Sequence, residues 1–300
     1  MKLAAIDIGS NAVRLLIANV IESNPSPVFK KIELVRVPLR LGEDSFIKGY
    51  ISEEKIKRLV KTMHSFRLLI DVFEAEGFRV CATSAMRDAS NREEVIDRVK
   101  KETDLFIEVV DGKMEAQIIY SNHTAEELDK DFSYLYIDVG GGSTELTLFA
   151  ENKIIASQSF NIGTIRLLHE QVSKETWNSL KAWVELKTKS AGPLTAIGSG
   201  GNINKIYKLV YGKDTKAMSY KKVKEITDYI SEFSYEERIT QLGLNEDRAD
   251  VILPASKIFL TVMKSGGIDK ILVPQSGLSD GIIHLLYEQK LKQTTLFQNK

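Results

Sequence analysis

The N-terminal segment reads Ile6-Asp7-Ile8-Gly9-Ser10-Asn11, and a related segment, Ile137-Asp138-Val139-Gly140-Gly141-Gly142-Ser143-Thr144-Glu145, follows almost half a chain later. Each begins as an apolar run ending in Asp, continues through small residues and leads into a second apolar run. This pattern predicts a strand, a tight turn and a return strand, because glycine tolerates the backbone angles of hairpin turns. Two copies of the pattern predict two similar domains.

The turns and the acidic strand ends suit phosphate chemistry. Glycine lets a ligand approach backbone N–H groups closely, and hydroxyls in the turn add donors to phosphate oxygens. A carboxylate at a strand end can bind a cation. We therefore expect an α/β protein whose two domains face each other across a phosphate-binding cleft.

Composition restricts the class of protein. The 300 residues, 43% hydrophobic and 27% charged, are typical of a globular protein with room for two cores. The 41 basic and 41 acidic side chains cancel, which gives no reason to expect DNA or a membrane as a partner. The single cysteine, Cys81, excludes an intramolecular disulfide and a cysteine-rich zinc site, and its apolar neighbours predict a buried, inert thiol.

The N-terminus favours a cytoplasmic protein. A strand pattern begins almost at Met1, without a charged leader or a cleavage site. No apolar run approaches the length that spans a membrane.

Hydrophobic periodicity predicts strands and helices in alternation. The first half begins with strands over 3–7, 13–20 and 28–40, followed by a long helix that Ser52-Glu53-Glu54 caps. The last helix is expected from near Gly281 to about Gln289.

The acidic stretch Ala125–Asp131 is the expected domain boundary. We predict domains over 1–125 and 126–300, and the sequence leaves open whether the last helix packs back on the first domain.

Five clusters of small or charged residues each follow a strand pattern, and the loops at strand ends of α/β sheets converge where ligands bind. The clusters are Asp7–Asn11, Thr83–Arg87, Asp111–Glu115, Asp138–Glu145 and Gly198–Asn202.

Asp7 and Asp138 end the first strands of the two hairpins. If the hairpins face each other, both carboxylates could hold Mg²⁺, directly or through water. The alternative is that each carboxylate caps its own turn.

The two turns are candidate phosphate sites. Ser10, Asn11, Ser143 and Thr144 offer polar side chains, and the glycines offer backbone N–H groups. Three consecutive glycines are costly unless something must come close, so the second turn, with Gly141 and Gly142, is the stronger signal.

Arg87 and Glu115 could take part in the chemistry itself. Arg87 is a fixed positive charge suited to a bidentate grip on phosphate. Glu115 lies in the first turn of a predicted helix, where the helix dipole keeps it ionised and able to accept a proton from water. From spacing alone, a surface ion pair for Arg87 and a helix-start carboxylate for Glu115 are equally acceptable.

Three further features carry weaker signals. Gly198-Ser199-Gly200-Gly201 is similar to a phosphate-binding turn, but one glycine cluster is not specific. Seven lysines between Lys205 and Lys224, with Asp214 as the only acid, could bind a polyanion, although a solvated helix face is the favoured interpretation. The four histidines show no metal-ligand spacing.

Together these motifs resemble the exopolyphosphatase/guanosine pentaphosphate phosphohydrolase (Ppx/GppA) family, in the superfamily of sugar kinases, actin and heat-shock ATPase chaperones. The resemblance covers nearly the whole chain. It rests on Ala5–Asn11, Arg40–Glu43, Ala82–Arg87 with Asn91, Gly112, Glu115-Ala116, Ile137–Leu146, Ile162–Leu167, Gly198–Gly201, Arg248–Ile252 and Gly277–Gly281.

The resemblance implies two ribonuclease-H-like domains with an Mg²⁺-dependent site in the cleft between them. It assigns Glu115 as the base for the attacking water, Arg87 as a phosphate ligand, and Asp138 and Glu145 as metal-associated carboxylates. The turns at Ser10-Asn11 and Gly141–Thr144 would bind phosphate, and Gly200, from the glycine cluster at Gly198–Gly201, is a further phosphate-binding candidate. The implied reaction is hydrolysis of a terminal phosphoanhydride, by a protein that commonly forms a homodimer.

The chain departs from the family pattern at three places. Ala12 stands where Ser is common, Met114 precedes Glu115 where a second Glu is usual, and Ser279 replaces an Arg. The expected substrate is inorganic polyphosphate, and guanosine pentaphosphate is the alternative. A binding protein for polyphosphate or alarmone nucleotides without turnover, and a sugar or acid kinase, are the alternatives from other classes.

Overall fold

A computed structural model describes residues 1–24, 26–121, 132–151, 153–211, 217–274 and 276–298. Its elements, in chain order, are β1 (Lys2–Ile8), β2 (Val13–Ile21), β3 (Val28–Val37), α1 (Leu41–Lys48), α2 (Glu53–Val72), β4 (Gly77–Ala82), α3 (Ser84–Asp88), α4 (Arg92–Thr103), β5 (Ile107–Val109), α5 (Gly112–Tyr120), β6 (Ser133–Val139), β7 (Thr144–Ala150), β8 (Lys153–Phe160), α6 (Thr164–Leu168), α7 (Lys174–Thr188), β9 (Leu194–Ser199), α8 (Gly201–Tyr211), β10 (Met218–Ser219), α9 (Tyr220–Ser231), α10 (Tyr235–Thr240), α11 (Glu246–Ala249), α12 (Ile252–Ser265), β11 (Lys270–Leu272) and α13 (Leu278–Gln298).

The chain divides into two compact units, one formed by 1–124 with 276–300 and the other by 125–275. These units differ from the sequence-based domains in the placement of the last helix, which the sequence leaves open. The expected boundary, Ala125–Asp131, lies outside the described residues.

The first unit contains a five-stranded sheet in the order β3-β2-β1-β4-β5. β1, β2 and β3 form an antiparallel meander, and β4 and β5 extend β1 in parallel. The apolar residues of one sheet face pack with the buried faces of α2 and α4, through side chains that include Leu59, Met63 and Val99. The sheet is thus mixed, as a hairpin followed by strand–helix units requires.

The second unit repeats this arrangement. Its six-stranded sheet has the order β10-β11-β9-β6-β7-β8, with β6, β7 and β8 antiparallel and β9 and β11 parallel to β6. Leu135, Ile137, Leu146 and Leu148 face a core that α12 crosses with Phe259 and its neighbours. Because side chains alternate along a strand, the acidic residues between these apolar positions lie on the other face.

Helix α13 belongs to the first unit because of its packing. It contacts β1, β2, β4 and α5, and Ile282 and Ile283 on it are buried. Its close approach to α5 depends on Gly281, where an added Cβ would lie only 1.9 Å from the carbonyl oxygen of Ile118. The helix also extends beyond its expected end at about Gln289, as far as Gln298.

Two local predictions were wrong. The third strand ends at Val37 rather than Arg40, and α1 follows it, because Pro38 interrupts the strand and Arg40 turns into the left-handed region. Ser52 lies at the N-cap of α2 without a side-chain cap, since its hydroxyl donates to Asp44 of α1 instead. Asp44 therefore links the two helices.

Candidate functional site

The predicted hairpins are confirmed, and their turns have the same geometry. In the first turn, the N–H of Gly9 donates to the carbonyl of Ala12 at 3.1 Å. In the second turn, the N–H of Gly140 donates to the carbonyl of Ser143 at 3.0 Å. A Cβ on Gly9 or Gly140 would lie 3.1 or 3.2 Å from that same carbonyl oxygen. Both turns therefore leave little room for a side chain at this position.

The two hairpins differ at the residue opposite the aspartate. In the first unit, Asp7 pairs across the strands with Arg14, and the Arg14 Nη1 to Asp7 Oδ2 distance is 2.6 Å. In the second unit, Asp138 pairs with Glu145 instead. Arg14 was not among the predicted site residues, although an alignment of the two repeats on Asp7 and Asp138 makes it equivalent to Glu145.

This difference gives the two hairpins different charges. The Arg14 guanidinium neutralises Asp7, so the first pair carries no net charge. The second pair brings a carboxylate oxygen of Asp138 and one of Glu145 within 4.8 Å of each other. Two carboxylates at this separation repel each other unless a cation or a proton lies between them. The metal role predicted for Asp7 stays a prediction.

Three of the five predicted clusters are linked within the first unit. The Ser10 and Ser84 hydroxyls are 2.9 Å apart and hydrogen-bonded, and both residues are buried. Arg87 lies in the last turn of α3, and its Nη1 donates to the carbonyl of Val110 at 3.0 Å. These contacts join the first turn, the Thr83–Arg87 cluster and the strand end before Asp111.

Glu115 occupies the first turn of α5, as the sequence predicts. Its N–H donates to the carbonyl of Asp111 at 2.9 Å, and its side chain is 8% exposed. The Asp111 carboxylate accepts from the N–H of Met114 at 2.7 Å and so caps the helix. Asp111 therefore supplies the cap, which frees Glu115 from that structural role.

The remaining two clusters meet within the second unit. Gly200 adopts a positive φ of 106°, and an added Cβ would lie 3.0 Å from the carbonyl oxygen of Val139 and 3.5 Å from Asp138 Oδ1. Gly200, predicted to bind phosphate, is thus placed beside the acidic pair. A side chain here would be strained by the backbone and would crowd the Asp138 carboxylate.

The glycine-rich turn is held by the segment that follows β8. The N–H groups of Thr164 and Ile165 donate to the carbonyls of Gly140 and Gly141, and Arg166 Nε donates to the carbonyl of Gly142 at 2.8 Å. At Gly163, an added Cβ would lie 2.3 Å from the carbonyl oxygen of Gly141. The turn carbonyls are therefore committed to α6.

The hydroxyl residues of this turn are fully enclosed. Ser143 is 2% exposed and Thr144 0%. Thr144 Oγ1 donates to the carbonyl of Ile162 at 2.5 Å. Since a hydroxyl has one proton to donate, Thr144 cannot donate it to a phosphate while this bond is kept.

Two predictions that assign a structural role gain support from the structure. Cys81 is buried, as predicted, and burial raises the pKa of its thiol to about 12, which favours the protonated, unreactive form. Lys221, Lys222 and Lys224 lie within ion-pair distance of Glu225 or Asp228 on α9 and favour a solvated helix face. Residues 212–216, with two more of the lysines, lie outside the described residues.

Comparison with known proteins identifies the family. The model of the Ppx/GppA phosphatase family matches residues 16–290. The chain belongs to the Ppx/GppA phosphatase family. This confirms the resemblance, and membership indicates an enzyme of the phosphoanhydride hydrolase type.

Individual relatives agree with this assignment. The chain is 32% identical to a bifunctional 3-dehydroquinate synthase/phosphatase from Fusobacterium nucleatum over 91% of its own length, and spans 45% of that longer protein. It is 26% identical to exopolyphosphatase 2 of Mycobacterium tuberculosis, over 94% of this chain and 97% of the relative.

Solved structures confirm the fold. A crystal structure of an exopolyphosphatase from Cytophaga hutchinsonii matches 96% of this chain and 98% of that one, with a TM-score of 0.83 and 25% identity. The Ppx/GppA family member from Aquifex aeolicus matches with a TM-score of 0.76 and 28% identity, over 97% of this chain and 98% of that one. The two mixed sheets with their helices are therefore ribonuclease-H-like domains of the actin, heat-shock chaperone and sugar-kinase type.

Proposed function

We propose that the protein is an Mg²⁺-dependent exopolyphosphatase that releases terminal orthophosphate from inorganic polyphosphate. The observation that carries the proposal is the acidic pair Asp138 and Glu145 at the end of a glycine-rich turn. Membership of the Ppx/GppA family and the relatives named exopolyphosphatase support this substrate.

The acidic pair fits a magnesium ion. Mg²⁺ prefers oxygen ligands and is commonly held by one or two carboxylates together with substrate phosphates and water. Asp138 and Glu145 offer two carboxylate oxygens within 4.8 Å of each other. When bound, the ion supplies charge neutralisation to the phosphate oxygens.

The remaining roles fall to residues of each unit. Glu115 accepts a proton from the attacking water. Arg87 binds a phosphate oxygen, and its guanidinium is held in place because Nη1 donates to the carbonyl of Val110. The N–H groups of the Ser10-Asn11 turn in the first unit, and those of Gly141–Ser143 and Gly200 in the second, bind phosphate oxygens. In phosphoryl transfer such positioning and charge stabilisation supply most of the catalysis.

Orthophosphate release tests this proposal. Purified protein should release phosphate from polyphosphate in the presence of Mg²⁺, and Glu115→Gln should lower kcat by roughly 10²-fold or more, since it removes a positioned base. Glu54→Gln is the matched control, because Glu54 is an exposed carboxylate in the first turn of α2. No release by the wild-type protein, or equal rates for Glu115→Gln, would contradict the proposal.

Guanosine pentaphosphate is the second candidate substrate, because the family includes both activities in its name. A higher kcat/KM for guanosine pentaphosphate than for polyphosphate would replace the first substrate by the second. A homodimer stays a prediction from the family resemblance, and a cytoplasmic location stays a prediction from the N-terminal sequence. Among the described residues, no helix is long and apolar enough to cross a membrane.

A further inference from the structure

Glu145 has a neighbour that the sequence analysis did not consider. Ser159 on β8 lies opposite Glu145 in the antiparallel ladder, and its Oγ donates to Glu145 Oε1 at 2.9 Å. We propose that Ser159 is a positioning residue, which holds the Glu145 carboxylate in the orientation that binds the cation. The inference rests on the proposed function, because it concerns the same metal.

Strand register places Ser159 in a polar row. Four residues from adjacent strands lie side by side on one face of the sheet, in the order Ser199 (β9), Asp138 (β6), Glu145 (β7), Ser159 (β8). The two carboxylates occupy the middle and a serine lies at each end. The opposite face carries the apolar residues of the core, so the row is a separate polar layer.

The electrostatics of the row explain why a hydroxyl is needed. Without a cation, Asp138 and Glu145 repel each other, and repulsion favours rotamers of Glu145 that turn away from Asp138. A hydrogen bond from a neutral hydroxyl to a carboxylate is strong, and it adds no charge that would compete with the metal. The first unit differs, because Arg14 lies at the position equivalent to Glu145 and its own positive charge neutralises Asp7.

Outer hydrogen bonds of this kind tune metal sites in general. Partners that orient a ligating side chain typically change metal affinity 10–100-fold when they are removed. Ser159 suits the task because β8 is the edge strand and Ser159 is only half-buried, so its loss should leave the core intact.

The same strands provide a matched control. Two residues along the ladder and on the same face, the Ser157 hydroxyl is hydrogen-bonded to Thr147 at 3.0 Å. Ser157→Ala removes a hydroxyl of the same kind from the same strand, but one that does not contact the acidic pair.

Mn²⁺ binding, measured by electron paramagnetic resonance without substrate, tests the inference directly. Ser159→Ala should raise the Kd for Mn²⁺ by roughly 10-fold, whereas Ser157→Ala should leave it at the wild-type value. Ser159→Thr keeps the hydroxyl, and threonine is favoured in β-strands, so this variant should keep most of the affinity for Mn²⁺. The thermal midpoint of unfolding should be similar in all variants.

The kinetics provide a second readout. Ser159→Ala should raise the Mg²⁺ concentration that gives half-maximal activity, while the KM for polyphosphate at saturating Mg²⁺ stays unchanged. An unchanged Mn²⁺ affinity in Ser159→Ala, or an equal loss in Ser157→Ala, would overturn the positioning role alone. Failure of the wild-type protein to bind Mn²⁺ would instead overturn the metal site of the proposed function.

Discussion

A single residue distinguishes the two copies of the hairpin. Arg14 and Glu145 occupy equivalent positions opposite an aspartate, and they give the two turns different charges. The sequence makes both residues visible, but their opposition depends on strand register. The length of the turn sets the strand register, and a shift of one residue in register would move each side chain to the other face of the sheet. The residue opposite the aspartate can therefore be identified only once the turn length is known.

The Asp7–Arg14 pair should contribute to stability, since the Asp7 side chain is only 4% exposed. Arg14→Leu would leave a nearly buried carboxylate without this partner, and we expect the free energy of unfolding to fall by about 1–3 kcal/mol in urea denaturation. Asp228→Asn, which removes an exposed partner of Lys224, should change it by less than about 0.5 kcal/mol. Equal effects of the two substitutions would show that Asp7 does not depend on Arg14.

Gly163 should be intolerant of any side chain. Gly163→Ala would place a methyl group against the Gly141 backbone, which cannot move without breaking its hydrogen bonds to α6. We expect a loss of about 1–3 kcal/mol in the free energy of unfolding together with a loss of phosphate release. Gly277→Ala is the comparison, because an added Cβ there meets no atom within 4 Å. Normal activity in Gly163→Ala would contradict the inference that the Gly140–Gly142 turn cannot move.

At the scale of elements, the sequence predicts most of the architecture. Both hairpins, the long helix α2 and the strand before each cluster follow from periodicity and turn residues. The end of β3 and the short helix α1 were missed, because Arg40 enters the left-handed region, which non-glycine residues seldom adopt. The placement of α13 depends on long-range packing through Gly281, which local patterns do not contain.

The close contact between α13 and α5 predicts an effect on the proposed base. Gly281→Ala would push α13 away from the carbonyl of Ile118, three residues after Glu115 on the same helix. We expect lower stability and a lower kcat, measured by urea denaturation and phosphate release. A variant with wild-type kcat would show that the position of α5 is insensitive to α13.

Helix α13 should also respond to pH through His284, which stacks on Phe29 with ring centroids 3.7 Å apart. Burial lowers the pKa of His284 below its ordinary value, and the Asp280 carboxylate only partly opposes this effect. The folded state therefore favours neutral His284, so its contribution to stability is complete above about pH 6.5 and falls as the pH drops from there toward the folded pKa.

Urea denaturation between pH 7.5 and pH 5 measures this contribution. His284→Phe keeps an aromatic ring against Phe29 and should show a smaller loss of stability over this range than the wild-type protein. His64→Gln, at an exposed position, should follow the wild-type curve. Identical curves for His284→Phe and the wild-type protein would contradict the account.

At the scale of the whole molecule, the two units share one architecture and differ in the residue that lies opposite the aspartate of the hairpin. Both units keep the hairpin, the glycine-dependent turn and the parallel strands that follow. In the second unit two carboxylates lie opposite each other beside the turn, whereas the first unit pairs its aspartate with an arginine. The motifs in the sequence were sufficient to predict the family and the reaction class, and an alignment of the repeats could have found Arg14, whereas the contact of Ser159 with Glu145 required strand pairing to be recognised.

The most direct test of the central claim is the initial rate of orthophosphate release from polyphosphate as a function of Mg²⁺ concentration. We expect no release in the presence of a chelator, saturable activation by Mg²⁺ in the wild-type protein, and a loss of activation in Glu145→Gln. Release that persists without a divalent cation, or a Glu145→Gln curve that matches the wild type, would contradict a metal held by the acidic pair.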